Sequence, residues 1–557
     1  MPYDPSNPLI VQSDRTVLLE TDNDQFEEAR DALAIFAEIV KSPEHIHTYR
    51  ITPLSLWNAS ALGYTPEQVK EELTRYSKYE VPDNLLFDID DFMSRYGRIK
   101  LIAEDGEHYL VSGDETLLEE VSHQKRVQPF IDGPVRNGRV KVTKDQRGFV
   151  KHALIQVGYP VEDLAGYVEG DPLDISLRDV TEQGEEFELR DYQKEAVDAF
   201  WAGGTERGGS GAIVLPCGAG KTIVALGAMD VVEEHTLVLT TNVTALRQWR
   251  DEILDKTDLD PELIGEYSGE VKEIKPVTLT TYQILTYRKT RDSEFKHFDL
   301  FNEANWGLII YDEVHLLPAP VFRAVANLQS RRRLGLTATL VREDGKEDEV
   351  FSLIGPKKYD VPWRVLEKQG FIATAECAEL RVPFEDDDLR LEYALAEPRE
   401  KYKLAATNPA KLEVIEELLE RHEGDQTLVI GQYLDQLDQI QALTGAPIIT
   451  GRTPQSERDV LYAKFRKGEV PVLVVSKVAN FAVDLPDANV AIQVSGTFGS
   501  RQEEAQRLGR ILRPKEDGNK AHFYSVVTRD STEQEYSNKR QLFLTEQGYR
   551  YHIEAIE

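Results

Sequence analysis

Residues 215–222 read Leu215-Pro216-Cys217-Gly218-Ala219-Gly220-Lys221-Thr222. Glycines at 218 and 220 let a backbone turn its N–H groups toward an anion. Lys221 would then reach the β- and γ-phosphates, and the Thr222 hydroxyl would bind Mg²⁺. The full phosphate-loop pattern asks for glycine five residues before Gly220, and Leu215 stands there. Asp312 follows Lys221 by 91 positions, with Glu313 beside it. Asp312 would hold Mg²⁺ through water, and Glu313 would orient or activate the attacking water. A third element, Gln506-Arg507-Leu508-Gly509-Arg510-Ile511-Leu512-Arg513, spaces Arg510 and Arg513 three apart. A helix puts both on one face. Such an arginine stabilises charge on a transferred phosphoryl group by ~10³–10⁵ in rate. The chemistry this set predicts is hydrolysis of ATP with Mg²⁺.

The elements around these residues must form an α/β frame. Short apolar runs at 211–216, 236–241, 278–282, 308–313 and 332–339 alternate with helical patterns. A second series follows at 427–433, 447–451, 470–476, 490–496 and 521–528. Short continuous apolar runs between helices predict parallel strands covered on both faces. The phosphate loop follows one strand and opens a helix. Asp312 ends another strand, at the edge where α/β sheets bind ligands. Two halves of similar size are expected at 186–375 and 376–557, joined near 367–370. The loop lies in the first half and the arginines in the second, so a cleft between them would close with nucleotide.

Upstream, the pattern predicts a mixed accessory domain over 1–132. Periodicity suggests a helix at 25–40. Thr52-Pro53 and Thr65-Pro66-Glu67 read as helix starts, with Gly63 as a stop between them. A further helix is expected at 88–97. Glu104-Asp105-Gly106 marks a hairpin turn inside an alternating segment. Gly133-Pro134 suggests a boundary, and 133–185 reads as a second small module, too short for an enzyme core.

The chain has 557 residues, enough for several domains, and 41% apolar with 29% charged residues is globular composition. No apolar run reaches the ~18 residues a spanning helix needs, and the start of the chain shows no basic region followed by an apolar run. Cys217 and Cys377 are the two cysteines. That excludes a four-thiolate zinc or iron–sulfur site and a disulfide framework. A reducing, cytoplasmic setting is expected. The net charge of −33 argues against nucleic acid, but the charge is uneven. Residues 1–132 hold 26 acidic and 12 basic residues, a net of −14, whereas residues 501–557 hold 10 of each.

Taken together, the short Pro-x-Gly-x-Gly-Lys-Thr loop, the Asp-Glu-Val-His run and the arginine segment resemble superfamily 2 helicases. Within that group the chain is similar to the XPB family, in its prokaryotic form. The likeness is strongest in GLTATLVREDG (335–345) and in 477–515. It extends through HIHTYRITPLSLWNASALG and the region 135–180. The resemblance implies two tandem RecA-like parallel-sheet domains preceded by small α+β accessory domains, the second of them damage-recognition-like. It implies that Arg190 and Gln193 belong to an adenine-reading element, although Asp191 stands where the family usually has proline. Asp484 would face the nucleotide. Thr240, Thr241, Arg247, Thr280 and Thr281 would grip the DNA backbone. Thr337 and Thr339 would couple ATP to domain motion, and Arg342, Glu343 and Asp344 form the family's Arg-Glu-Asp element. Read without the resemblance, the threonines are ordinary β-branched strand residues. A thumb-like insertion falls at 385–405, acidic at its start.

These features predict a DNA-dependent ATPase acting at single-stranded/duplex junctions in repair or transcription, and the resemblance implies 3′-to-5′ polarity. The chain would be monomeric, with a nuclease or repair partner. An RNA-directed ATPase, or an ATP-switched scaffold that opens DNA without processive unwinding, would use the same motifs. Residues 133–185 could recognise distorted DNA or pack on the helicase core. Few phosphate contacts in so acidic a chain imply weak binding without nucleotide and a shallow salt dependence, since log K falls by about 0.9 per neutralised phosphate against log salt. Titrating labelled duplex across salt concentrations checks this. A steep slope would show that the basic residues cluster on the DNA path.

Overall fold

The computed structural model describes residues 3–41, 45–216, 219–287, 297, 299–318, 321, 325, 326, 328, 331–338, 347–361, 366, 375–476, 488–496, 521–546 and 551–556. The first accessory sheet is antiparallel, built from β1 (Leu9–Val11), β2 (Thr16–Glu20), β3 (Glu38–Lys41) and β4 (Ile46–Arg50) in the order β1-β2-β4-β3. The helix expected over 25–40 covers Phe26–Phe36. At Ala37 the backbone turns extended, and Ile39 pairs with Tyr49. Both predicted helix starts close as capping boxes. Thr52 accepts from Ser55 N and Thr65 from Gln68 N, each with proline in the first turn. The helix expected at 88–97 begins earlier and covers Asp83–Arg95, which follow Pro82.

The boundary expected at 132/133 falls inside a strand. A five-stranded sheet joins β5 (Lys100–Glu104), β6 (Glu107–Val111), β7 (Ile131–Arg136), β8 (Arg139–Val142) and β9 (Glu162–Leu164) in the order β7-β8-β6-β5-β9. The predicted hairpin is present. Asp105 (φ 52°) and Gly106 (φ 79°) form its left-handed turn. Its second strand pairs with β8, with Leu110 opposite Val140, so the hairpin belongs to the second module.

Both accessory sheets rest on the first large half. Trp57, Ile155 and Phe351 form one apolar cluster drawn from three segments. Asn58 Oδ1 accepts from Lys357 N at 3.0 Å. The Tyr167 ring lies 5.9 Å from the Arg147 guanidinium and 5.6 Å from that of Arg332. Beneath it, Asp163 binds Arg147 and Lys151, both at 2.8 Å, away from water.

The first half is a seven-stranded, all-parallel sheet. Its strands are β10 (Ser210–Val214), β11 (Thr236–Thr240), β12 (Ile264–Tyr267), β13 (Val277–Thr281), β14 (Leu308–Asp312), β15 (Arg332–Thr337) and β16 (Lys357–Asp360). The order is β12-β13-β11-β14-β15-β10-β16. The second half repeats the design with β17 (Ala375–Val382), β18 (Thr427–Gly431), β19 (Ile448–Ile449), β20 (Val472–Ser476), β21 (Val490–Gln493), β22 (Ala521–Thr528) and β23 (Tyr551–Ala555). Its order is β19-β20-β18-β21-β22-β17-β23, again all parallel. Strands β11, β13 and β18 are buried along their whole length, as continuous apolar runs require. The junction expected near 367–370 lies outside the described residues. The expected insertion forms two helices, Asp387–Leu395 and Pro398–Ala406. Among the described residues, no helix is long and apolar enough to cross a membrane.

Trp57 is 5% exposed, and its Nε1 donates to Phe92 O at 3.0 Å. Trp57→Ala should loosen the accessory contact at a local cost of about 3–5 kcal/mol. Hydrogen exchange should rise in Pro53–Ala61 and Arg147–Gln156 ahead of the large sheets. Unchanged protection there would contradict the docking described.

Candidate nucleotide site

Strand β10 delivers the phosphate loop at its carboxyl end, and helix Lys221–Val232 follows. Leu215, which takes the place of a glycine, is a fully buried core residue, and its N–H donates to Thr337 O at 3.0 Å. Gly220 sits at φ 80° and ψ 46°, capping the helix. A Cβ there would come within 2.5 Å of Gln193 Nε2, so both the conformation and the space require glycine. Gln193 is 3% exposed and braces the loop. Its Oε1 accepts from Arg190 N at 3.0 Å and its Nε2 donates to Ala219 O at 3.1 Å. Tyr192 donates to the same carbonyl at 2.7 Å, and Arg190 Nη1 donates to Tyr192 OH at 3.1 Å. The Arg190–Gln193 segment and the loop before Lys221 are thus one hydrogen-bonded unit.

Strand β14 carries Asp312 and Glu313 to the same edge. Lys221 Nζ lies 3.3 Å from Glu313 Oε1. Trp249, from helix Val243–Lys256, donates its Nε1 to Asp312 Oδ2 at 3.0 Å. His315 Nδ1 stands 3.6 Å from Glu313 Oε2 and 2.6 Å from the Thr337 hydroxyl. Glu313 adopts the left-handed region at φ 49°. A non-glycine residue held there costs of order 1–3 kcal/mol and is characteristic of functional sites. Burial pushes Asp312 up, as does the Glu313 charge, against the Trp249 hydrogen bond and Lys221. Burial acts the same way on Glu313, but the Lys221 and His315 charges and the hydrogen bonds it accepts outweigh it and hold the carboxyl below its usual range.

The expected residues divide as follows. Lys221, Thr222, Asp312, Glu313, Gly220, Arg190, Gln193 and Thr337 converge on this edge. Gly218, Thr339, Arg342, Glu343, Asp344, Asp484, Arg510 and Arg513 lie outside the described residues. Three of the expected DNA-gripping hydroxyls point inward. Thr240 Oγ1 donates to Thr280 O, Thr280 Oγ1 donates to Tyr267 O, and Thr281 caps the helix Tyr282–Leu285. All three are buried near strand ends. Thr241 and Arg247 remain solvent-accessible. Sequence reasoning missed Trp249 and the His315–Thr337 contact, because each joins segments far apart in the chain. The hard oxygen donors of Thr222 and Asp312 suit Mg²⁺, which retains water and substrate phosphates as its other ligands.

Paired parallel sheets with this loop and acidic strand end define a two-domain ATPase of the superfamily 2 helicase class. Residues 366–556 match the ERCC3/RAD25/XPB C-terminal helicase model. Residues 186–342 match the model for the type III restriction enzyme res subunit, and residues 9–131 a helicase conserved C-terminal domain. The chain is 57% identical over 547 residues to the DNA 3′-5′ helicase XPB of Mycobacterium tuberculosis, covering 98% of this chain and 97% of that one. It is 55% identical to the protein of the same name from Kineococcus radiotolerans, covering 98% and 96%. Against the XPB/SSL2 helicase/translocase subunit of general transcription and DNA repair factor IIH from Saccharomyces cerevisiae, identity is 32% over 98% of this chain and 72% of that one. The chain belongs to the XPB family of DNA helicases, a family of ATP-using enzymes.

The folded Asp312 carboxyl, pushed up to about 6, lies above its unfolded value. Its ionised form therefore costs stability, and the cost grows as pH rises from about 4 through 6. In nucleotide-free protein, Asp312→Asn should raise the thermal midpoint near pH 7 by an amount worth at most ~3 kcal/mol, the gain fading below about pH 4. A lowered midpoint near pH 7 would show that the Asp312 charge is not penalised.

Proposed function

We propose that this chain is an ATP-driven DNA translocase and helicase of 3′-to-5′ polarity, acting at junctions of single-stranded and duplex DNA. The observation that carries the reading is the Lys221–Glu313 pair beside Asp312 at the carboxyl edge of β10 and β14. Backbone amides of the loop and Lys221 bind the ATP phosphates, with the base against Arg190 and Gln193. Thr222 and Asp312 would hold Mg²⁺, which would supply positive charge against the phosphates. Before nucleotide arrives, Glu313 is the partner of Lys221. The γ-phosphate competes for that lysine and leaves Glu313 to orient the attacking water. Arg510 and Arg513 stabilise the transferring charge from the second half. His315 and Thr337 report the state of Glu313 to β15, and cleft closure becomes a step along one DNA strand. Arg247 and Thr241 offer the exposed polar contacts on the first half. The chain works as a cytoplasmic monomer in DNA repair or transcription, together with a nuclease or other repair partner.

Lys221→Ala and Glu313→Gln should each lower DNA-stimulated ATP hydrolysis by about 10²–10⁴-fold. A matched RNA strand should stimulate little, and 3′-tailed duplexes should open in preference to 5′-tailed ones. ATPase and strand-displacement assays on these substrates decide the matter. A hydrolysis rate indifferent to DNA would overturn the proposal.

A further inference from the structure

A cavity of about 300 Å³ opens where the two accessory modules meet the first half. Its walls come from helix Pro53–Ala61 and Tyr96, from helix Arg147–Gln156 and β9, and from Arg207, Phe351 and β16. Ser210, the first residue of β10, also reaches it. The cavity thus lies at the amino end of β10, opposite the end that carries the phosphate loop.

Its polar groups are unevenly satisfied. Asp163 accepts from Arg147 and Lys151, and from Ala165 N at 3.2 Å. Lys358 is different. Its Nζ donates to Arg207 O at 2.6 Å and, among the described residues, has no carboxylate within ion-pair distance. That uses one of its three N–H donors. Glu162 makes only long ion pairs, 3.5 Å to Arg207 Nε and 3.7 Å to Lys100 Nζ. Among the described residues its carboxylate accepts no hydrogen bond. The Tyr96 ring meets Phe351 edge-on, with centroids 6.3 Å apart, and its hydroxyl has no hydrogen-bond partner among the described residues. Burial, with the Glu162 charge, holds that phenol above its usual range, so it stays a neutral donor. Around the cavity Arg147, Lys151, Lys100, Arg207 and Lys358 outnumber Glu162 and Asp163, in a chain whose net charge is −33.

An ammonium with two unused N–H groups and an unpaired phenol line one space, which suits an anion with several acceptor oxygens. Glu162 cannot bond a bare anion, but it accepts from a hydroxyl. A volume near 300 Å³ is at the lower end for organic ligands. We propose that this cavity binds a small hydroxylated phosphomonoester, with its phosphate on Lys358 and Tyr96 and a hydroxyl on Glu162. Such a ligand touches both accessory modules and the first half, and its binding fastens them together.

The probe is glycerol phosphate, titrated by calorimetry into the full-length Lys221→Ala protein, whose phosphate loop is disabled. One site is expected. On that background Lys358→Met should weaken binding by about 10- to 100-fold and Tyr96→Phe by about 3- to 10-fold, the ranges for a charged and a neutral hydrogen-bond donor. Tyr96→Phe keeps the ring against Phe351, so its effect is not a loss of fold. Ethyl phosphate and inorganic phosphate, which lack the carbon-bound hydroxyls, should each bind about 10-fold less tightly than glycerol phosphate. Lys70→Met removes an equal charge from helix Pro66–Tyr76, which does not line the cavity, and should leave affinity unchanged. Absence of binding, or binding that Lys358→Met and Tyr96→Phe leave intact, would overturn the proposal. Equal affinity for either hydroxyl-free phosphate would overturn the assigned ligand class.

Discussion

Lys221, Asp312 and Glu313 place one positive and two negative charges at a largely dry sheet edge. Such a group is tolerable only when each charge has a partner. Here Lys221 and His315 compensate Glu313, while Asp312 keeps the Trp249 indole and is the residue pushed upward. The site thus carries an excess of negative charge, which a divalent cation would relieve. The surrounding structure serves to maintain it. Parallel pairing of β10, β14 and β15 brings the three segments to one edge. Gly220 and the left-handed Glu313 turn the chain there. The Gln193 and Tyr192 bonds to Ala219 keep the loop in register with the helix before it.

The two other units attach by different physics. The accessory sheets dock on the first half through aromatic packing around Phe351 and the hydrogen bond from Lys357 N to Asn58 Oδ1. The insertion is held in the second half by the Lys411–Glu533 pair. A buried ion pair of this kind is costly to break from one side and contributes little net stability when whole. Its value lies in fixing where three chain segments meet. Both attachments favour rigid bodies.

The structure was legible in the sequence where it is local. The phosphate loop, the Asp312–Glu313 strand end, the capping boxes at Thr52 and Thr65 and the turn at Asp105-Gly106 all depend on residues within a few positions of one another. Illegible parts depend on distant partners. Strands β12, β16, β17 and β23 were not predicted. In β17 a fully buried Glu379 interrupts the apolar pattern, and its partners, Arg381 and Ser537, make sense only once helix Thr532–Glu546 is in place. The module boundary moved for the same reason, because the pairing of β6 with β8 crosses the Gly133-Pro134 signal. Thr240 and Thr280 have the residue type for backbone contacts, but the sequence does not show that each hydroxyl already has an internal acceptor. The −33 charge is likewise neither evidence for nor against DNA. Residues 1–132 carry −14 of it and residues 133–500 the remaining −19, while residues 501–557 are neutral.

The central claim is that nucleotide at the Lys221–Glu313 edge and DNA on the chain favour the same closed arrangement. The most direct test is reciprocal linkage. The affinity of a non-hydrolysable ATP analogue is measured with and without a 3′-tailed duplex, and that of the duplex with and without the analogue. The account predicts that each ligand tightens the other by the same factor, as linkage requires. Affinities that stay the same in both directions would contradict it.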